Sequence, residues 1–512
     1  MNNPHVLVPA VLVAAVIASP TLAANKNPRF IHPSDSTMSA PSSGRGPAAD
    51  SVFTTQHAIM VQGKAIHYAA AAGRLAVRDV NDSVVAHLFF TYYALQPPRD
   101  PRRTPLTFAF NGGPGASSMW LHIAAAGPRR ALLGENGTGL PGADTLVDNQ
   151  YTWLPYSDLV FVDPIGTGFS RAAQGVDPGR FFSVDADIKI MSQFIQAFLS
   201  RYGRWTSPLY LAGESYGTLR AAGLASVLQE KLGAVVEGII FISSALNFQL
   251  IAFDPGNDLA AALAVPSYTA TSWYHRRLGP KQNVPLDTVL HSAERWAMGE
   301  YLLGLSKGSA LAPPGRERIA DSLAAFCGLS RQYLAAHDLR IDPFGFSREV
   351  LSFLGRRTGI LDGRVACLRG PDDFDDPAMF VVAGPLTALV NDYLRRELSY
   401  ATPLDYVYLS ESANGSWQWS ARRAQGYADE TPSLRGAMSI NPRLRVLAAM
   451  GYFDLATPYL SQRYAFEHLG SDSAIVKRIA VHCYPAGHQI YTNPPSLAKL
   501  FSDVASFLRP RD

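Results

Sequence analysis

Short apolar runs alternate with stretches of helical spacing along most of this chain. Val85 to Leu95, rich in apolar and aromatic residues, predicts a strand. Leu106 to Phe110, Leu159 to Val162, Leu209 to Ala212 and Val236 to Ile242 predict four more, and the rhythm returns at Arg443 to Met450 and Ile479 to Tyr484. Ile188 to Tyr202 and Thr218 to Leu232 carry their apolar residues at helical intervals. Such alternation predicts an α/β fold around a buried, mostly parallel central sheet. Between about 255 and 405 the rhythm is lost. Helical patterns there start at Tyr274-His275 and run from Ala293 to Leu303 and from Arg316 to Phe326, and the region also holds the loop-like stretch Gly370 to Pro377. This middle region reads as a mainly helical cap insertion. It divides the core into a first part, 51–254, and a second part, 406–512.

The N-terminus has a different texture. Residues 1–24 contain no Asp, Glu, Lys or Arg; an apolar run from Val6 to Ala18 is followed by Thr21-Leu22-Ala23. This predicts a secretory signal peptide, residues 1–24, cut after Ala23 or Ala24. The run is too short to span a bilayer comfortably, so no stable membrane insertion is expected after cleavage. Residues 25–50, rich in Ser, Pro, Gly and Asn, read as a flexible leader. A secreted or periplasmic location follows.

With 512 residues, 47% of them hydrophobic and 17% charged, the chain can bury a large core, and a net charge of +3 gives no reason to expect nucleic acid. The three cysteines are Cys327, Cys367 and Cys483. If a disulfide forms, Cys327–Cys367 is the favoured pair; three free thiols are the alternative. No C-x-x-C or H-E-x-x-H occurs, so neither metal nor cofactor is expected.

The chemistry centres on Gly213-Glu214-Ser215-Tyr216-Gly217, which lies between a predicted strand and a predicted helix. That is the context of a nucleophile elbow, where small flanking residues allow a tight, strained turn. A serine hydroxyl needs a base to take its proton and a carboxylate to orient that base. On this scaffold the order along the chain is Ser, Asp/Glu, His. Two later strands end near such residues: Arg443 to Met450 runs into Asp454, and Ile479 to Tyr484 runs into His488. Ser215, Asp454 and His488 are therefore the candidate triad. His482 lies within its strand, Asp163 precedes the serine, and Glu467 lies too far beyond a strand end to compete. His122, close after the glycine-rich loop, is a candidate for lining the site. The oxyanion hole needs two backbone N–H groups. Tyr216, after the nucleophile, supplies one; Gly113, in the loop Asn111-Gly112-Gly113-Pro114-Gly115 after an early strand, supplies the other.

Taken together, Asn111 to Ser118, Asp163 to Ser170, Gly213 to Gly217, Gly451 to Asp454 and Gly487-His488 resemble the motifs of the serine carboxypeptidases, peptidase family S10, as a bacterial-type secreted member. The resemblance spans roughly 85–495. It implies an α/β-hydrolase fold with a helical cap and removal of single residues from the C-termini of peptides or proteins. It also implies that Asn111, Gly112 and Glu214 bind the substrate's terminal carboxylate, with Glu214 sharing a proton with it. The chain departs from better-known members of the family at two positions. Ala109 stands where they have Trp, and Ala125 where they have a second Glu. An esterase or acyltransferase on the same scaffold is the alternative these departures leave open. Arg129, Arg130 and Arg220 are candidates for a cationic substitute, and a less acidic optimum than that of typical relatives is expected.

Overall fold

The structure, a computed structural model, describes residues 51–134, 145–370, 376–419 and 426–509. The expected signal peptide and leader lie outside these residues. Nine strands line up in the central sheet: β1 (Val52–Val61), β2 (Lys64–Arg78), β3 (Val84–Leu95), β4 (Leu106–Phe110), β5 (Asp158–Val162), β6 (Leu209–Glu214), β7 (Val236–Ile242), β8 (Arg445–Gly451) and β9 (Ile479–Tyr484). Their order is β1-β2-β3-β5-β4-β6-β7-β8-β9, and a two-residue strand at Arg171–Ala172 pairs with β3 off this row. β1, β2, β3 and β5 pair antiparallel in turn. From β5 to β9 every pairing is parallel. This is the mostly parallel sheet that the run pattern predicts.

Parallel strands are usually covered on both faces, and their residues then divide between two cores. In β4, Phe108 and Phe110 join one core with Phe194 and Phe198 of helix α1 (Val184–Tyr202). Ala109 joins the other. In β7, Ile239 and Phe241 face the first core, Ile240 and Ile242 the second. Helix α2 (Tyr216–Leu232) packs with α1 on the first face. α1 starts cleanly because Ser183 Oγ accepts a hydrogen bond from Ala186 N–H and two aspartates occupy its first turn, where the helix dipole favours negative charge.

Sequence pattern misses the β1–β2 hairpin. β2 contains the run Tyr68-Ala69-Ala70-Ala71-Ala72-Gly73, which has little strand propensity, and it is held by pairing to β1 and β3 on either side. Between β7 and β8 the described chain is mostly helical and carries a third apolar cluster that includes Tyr268, Phe326 and Phe346. Here the helical pattern expected from Tyr274-His275 onward is displaced. Helix α3 runs from Asp258 to Tyr274, and His275 caps its end. α3 is buried from Ala260 to Ser272, so it lacks the amphipathic period that marks a surface helix. The favoured cysteine pair does not form: Cys327, Cys367 and Cys483 are all free. Cys327 is buried at the end of its helix, whereas Cys367 sits on a small hairpin.

Candidate active site

Four loops meet at one end of the parallel strands, where open α/β sheets place their chemistry. The loop after β4 carries Asn111 to Gly115, and the turn after β6 carries Ser215. The loops after β8 and β9 carry Asp454 and His488. Ser215 adopts φ 57° and ψ −130°, a conformation that costs a non-glycine residue of order 1–3 kcal/mol. Close packing around it enforces the turn. A Cβ on Gly213 would come within 2.2 Å of the Gly217 carbonyl oxygen, and one on Gly217 within 2.6 Å of the Phe110 oxygen. Ser215 N–H donates to Ile242 O of the neighbouring strand at 3.0 Å.

His488 Nδ1 lies 2.8 Å from Asp454 Oδ2. Asp454 is fully buried and held by three donors: Oδ1 accepts from the N–H groups of Ala456 (2.9 Å) and Thr457 (2.8 Å), and Oδ2 accepts from Thr457 Oγ1 at 2.6 Å. His488 is fixed from behind as well. Its N–H donates to Leu361 O at 2.6 Å, and its carbonyl accepts from Ser243 Oγ at 2.6 Å. Burial lowers the His488 pKa, but the charge and hydrogen bond of Asp454 outweigh this, and the net shift is upward.

Ser215 and His488 line one open cavity together with Asn111, Gly112, Gly113 and Glu214. Trp120, Leu361, Met379, Leu409 and Ala456 make its apolar walls. Gly112 packs directly on the start of α2: a Cβ there would lie 2.5 Å from Tyr216 N. Gly113 has φ +96°, a region that glycine enters freely. Glu214 is buried beside Tyr491 and Asn111, and desolvation pushes its pKa up to about 7. A neutral carboxyl at that position is a proton donor facing the cavity.

The structure thus gathers Asn111, Gly112, Gly113, Glu214, Ser215, Tyr216, Asp454 and His488 in one place. It does not bring the other candidates there. His122 is buried away from the cavity against Tyr93 Oη, at 2.6 Å, and burial lowers its pKa to about 3. Arg129 pairs with Asp148 and Glu397, and Arg130 donates to Ala131 O. Arg220 is fully buried beneath the loops rather than facing the cavity. Asp163 accepts from Ser118 N–H at 2.8 Å and ties its own loop to the segment after β4. Ala109 and Ala125 are both buried in the core cluster of the second sheet face. Sequence reasoning misses Thr457, which bonds Asp454 and lies 3.2 Å from His488 Nδ1, and Gln489, Met379 and Leu409 in the cavity wall. No short motif marks these positions. Among the described residues no cluster of His, Cys, Asp and Glu could hold a metal ion, and no helix is long and apolar enough to cross a membrane.

A strained serine at a strand–helix turn and a buried Asp–His pair on later strand ends are the marks of an α/β hydrolase. Residues 66–275 match the family model of the serine carboxypeptidases, peptidase family S10, and similarity to that family is supported by individual relatives. A carboxypeptidase Y homolog of Arthroderma benhamiae is 33% identical over 192 residues, covering 36% of this chain and 34% of the relative. The pheromone-processing carboxypeptidase KEX1 of Phytophthora infestans is 30% identical over 220 residues, covering 40% of this chain and 30% of the relative. Serine carboxypeptidase-like 8 of Arabidopsis thaliana is 32% identical over 143 residues, covering 28% of this chain and 32% of the relative. The matches therefore span about a third of each relative's length. The fold is similar to the crystal structure of the Kex1 prohormone-processing carboxypeptidase from Saccharomyces cerevisiae. The TM-score is 0.52 at 15% identity, over 86% of this chain and 91% of that one.

Proposed function

We propose that this protein is a secreted serine carboxypeptidase that removes C-terminal residues from peptides through an acyl-enzyme on Ser215. The observation that carries the reading is the shared cavity: the strained Ser215, the Asp454-held His488 and the buried Glu214–Asn111 pair all open onto it. His488 takes the Ser215 proton as the hydroxyl attacks the scissile carbonyl, then gives it to the departing amine. Asp454 holds the imidazole with its proton on Nδ1. The N–H groups of Gly113 and Tyr216 receive the developing oxyanion. Asn111, Gly112 and Glu214 receive the substrate's carboxylate. Location outside the cytoplasm rests on the apolar, charge-free pattern of residues 1–24. The esterase or acyltransferase reading rests on Ala125, which leaves Glu214 without the second carboxyl that the family pattern places there.

Matched peptides, one with a free C-terminal carboxylate and one amidated, separate the two readings. Stepwise loss of residues from the free peptide alone is expected. Cleavage of both peptides, or of neither while a simple ester is hydrolysed, would favour the alternative.

The pH profile has a definite sign. Glu214, with its pKa near 7, is protonated below that pH and can donate to a substrate carboxylate; above it, two negative carboxylates oppose each other. Peptide kcat/KM is expected to fall as pH rises through about 7. At the other end it falls as His488 becomes protonated and can no longer act as base. Glu214→Gln keeps a neutral donor, so the alkaline fall should vanish for the peptide, and peptide hydrolysis should suffer more than ester hydrolysis. An equal loss on both substrates with the alkaline fall intact would show that Glu214 does not read the carboxylate.

A further inference from the structure

We infer that Arg220 is a positioning residue that sets the oxyanion loop against the nucleophile turn through a buried fork to Asn111 and Asp187. The inference rests on the hydrolase reading of Ser215 and extends it to a residue outside the cavity.

Arg220 lies one turn into α2, five residues after Ser215, and has no exposed surface. Its Nε donates to Asp187 Oδ2 at 2.8 Å, and its Nη1 donates to the Asn111 carbonyl oxygen at 2.8 Å. Asp187, buried in the first turn of α1, also accepts from Tyr216 Oη at 3.1 Å. The guanidinium lies over the rings of Phe110 and Tyr216, at 5.5 and 5.3 Å from their centroids. One side chain therefore ties together the end of β4, the loop it feeds, the nucleophile helix and α1. The tied carbonyl belongs to the residue two before Gly113, and the tied helix begins with Tyr216. These are the two proposed oxyanion donors.

Stability alone gives little reason to keep this arrangement. Replacing a buried ion pair with apolar side chains of similar volume is often neutral or stabilising, and here Nη2 is buried with no hydrogen-bond partner among the described residues. What a guanidinium supplies is geometry. Its planar fork reaches two acceptors in fixed directions, whereas a lysine ammonium is a single point charge on a flexible stem. Oxyanion donors act only if they are aimed before the reaction, and a displacement of about 1 Å can cost roughly 100-fold in rate.

The test compares wild type, Arg220→Lys and Asp187→Asn, with kcat expressed per active site titrated by a serine-directed reagent. Substrates are a free-acid peptide and a simple ester, and binding of a boronic acid transition-state analogue is measured alongside. For Arg220→Lys, kcat is expected to fall roughly 100-fold on both substrates with KM within about threefold, and boronate affinity to fall in parallel. Asp187→Asn, which keeps the arginine but weakens its anchor, should show the same signature at about tenfold, and it carries the test if the lysine variant does not fold. Unchanged kcat per titrated site with only a lower Tm would overturn the inference and leave Arg220 a packing residue. A wild type that turns over neither substrate would instead count against the hydrolase reading itself.

Discussion

Ser215→Ala is expected to reduce kcat on peptides by roughly 10⁴- to 10⁶-fold, with the fold intact. The size of the loss follows from what the hydroxyl does. Without it no acyl-enzyme forms, and the remaining groups can only polarise the carbonyl toward water. Residual activity should come from the oxyanion donors and from substrate binding, so KM should change little. The fold should survive because the side chain is small and its backbone, not its hydroxyl, makes the bond to Ile242. Alanine inherits the strained φ of 57°, so no relief of strain and no gain in stability are expected. Circular dichroism and thermal melting check the fold; turnover of the free-acid peptide checks the chemistry. Activity within tenfold of wild type would remove Ser215 from the mechanism.

Asp454→Asn should cost about 10⁴-fold in kcat, by a different route. Oδ1 receives two backbone N–H groups, from Ala456 and Thr457, so the amide of an asparagine must keep its oxygen there. Its NH₂ is then forced into the Oδ2 position, beside His488 Nδ1. A donor at that point makes Nδ1 the acceptor and moves the imidazole proton to Nε2, the nitrogen that must accept from Ser215. Thr457, which now donates to Oδ2, can lose that bond and turn elsewhere, so the damage should be catalytic rather than structural. The expected signature is a low kcat that rises with pH, as hydroxide restores the base, at near-normal Tm. A variant that loses its fold, or one that keeps near-normal activity, would contradict the tautomer argument.

Most of the core sheet was legible because buried parallel strands are short, apolar and bounded by turns. β4 and β7 have the limits their apolar runs predict, and the elbow motif stood in the strand–helix setting its chemistry needs. Ser215, Asp454 and His488 stood out in the sequence because each follows a strand end; chain order set aside Asp163, and distance from a strand end set aside Glu467. Four things could not be read. β2 is an alanine-rich stretch whose strand state comes from its neighbours, not from its own side chains. α3, buried from Ala260 to Ser272, has no polar face to reveal its period. Arg220, the arginine nearest the elbow, is one of three candidates for a cationic substitute; its side chain instead turns under the Asn111 loop to Asp187, a residue distant in sequence. The cavity wall from Met379 and Leu409 had no motif either, because lining a pocket requires only apolar bulk at the right place.

In the proposed reaction Ser215 carries a covalent acyl group during turnover, with His488 as its base. Rapid mixing with an activated ester, acid quenching and peptide mapping by mass test it most directly. A burst of about one equivalent of product is expected, with the acyl mass on the peptide containing Ser215, and both should be absent in Ser215→Ala. Steady turnover with no burst and no adduct, or an acyl group on another residue that turns over at the catalytic rate, would contradict it.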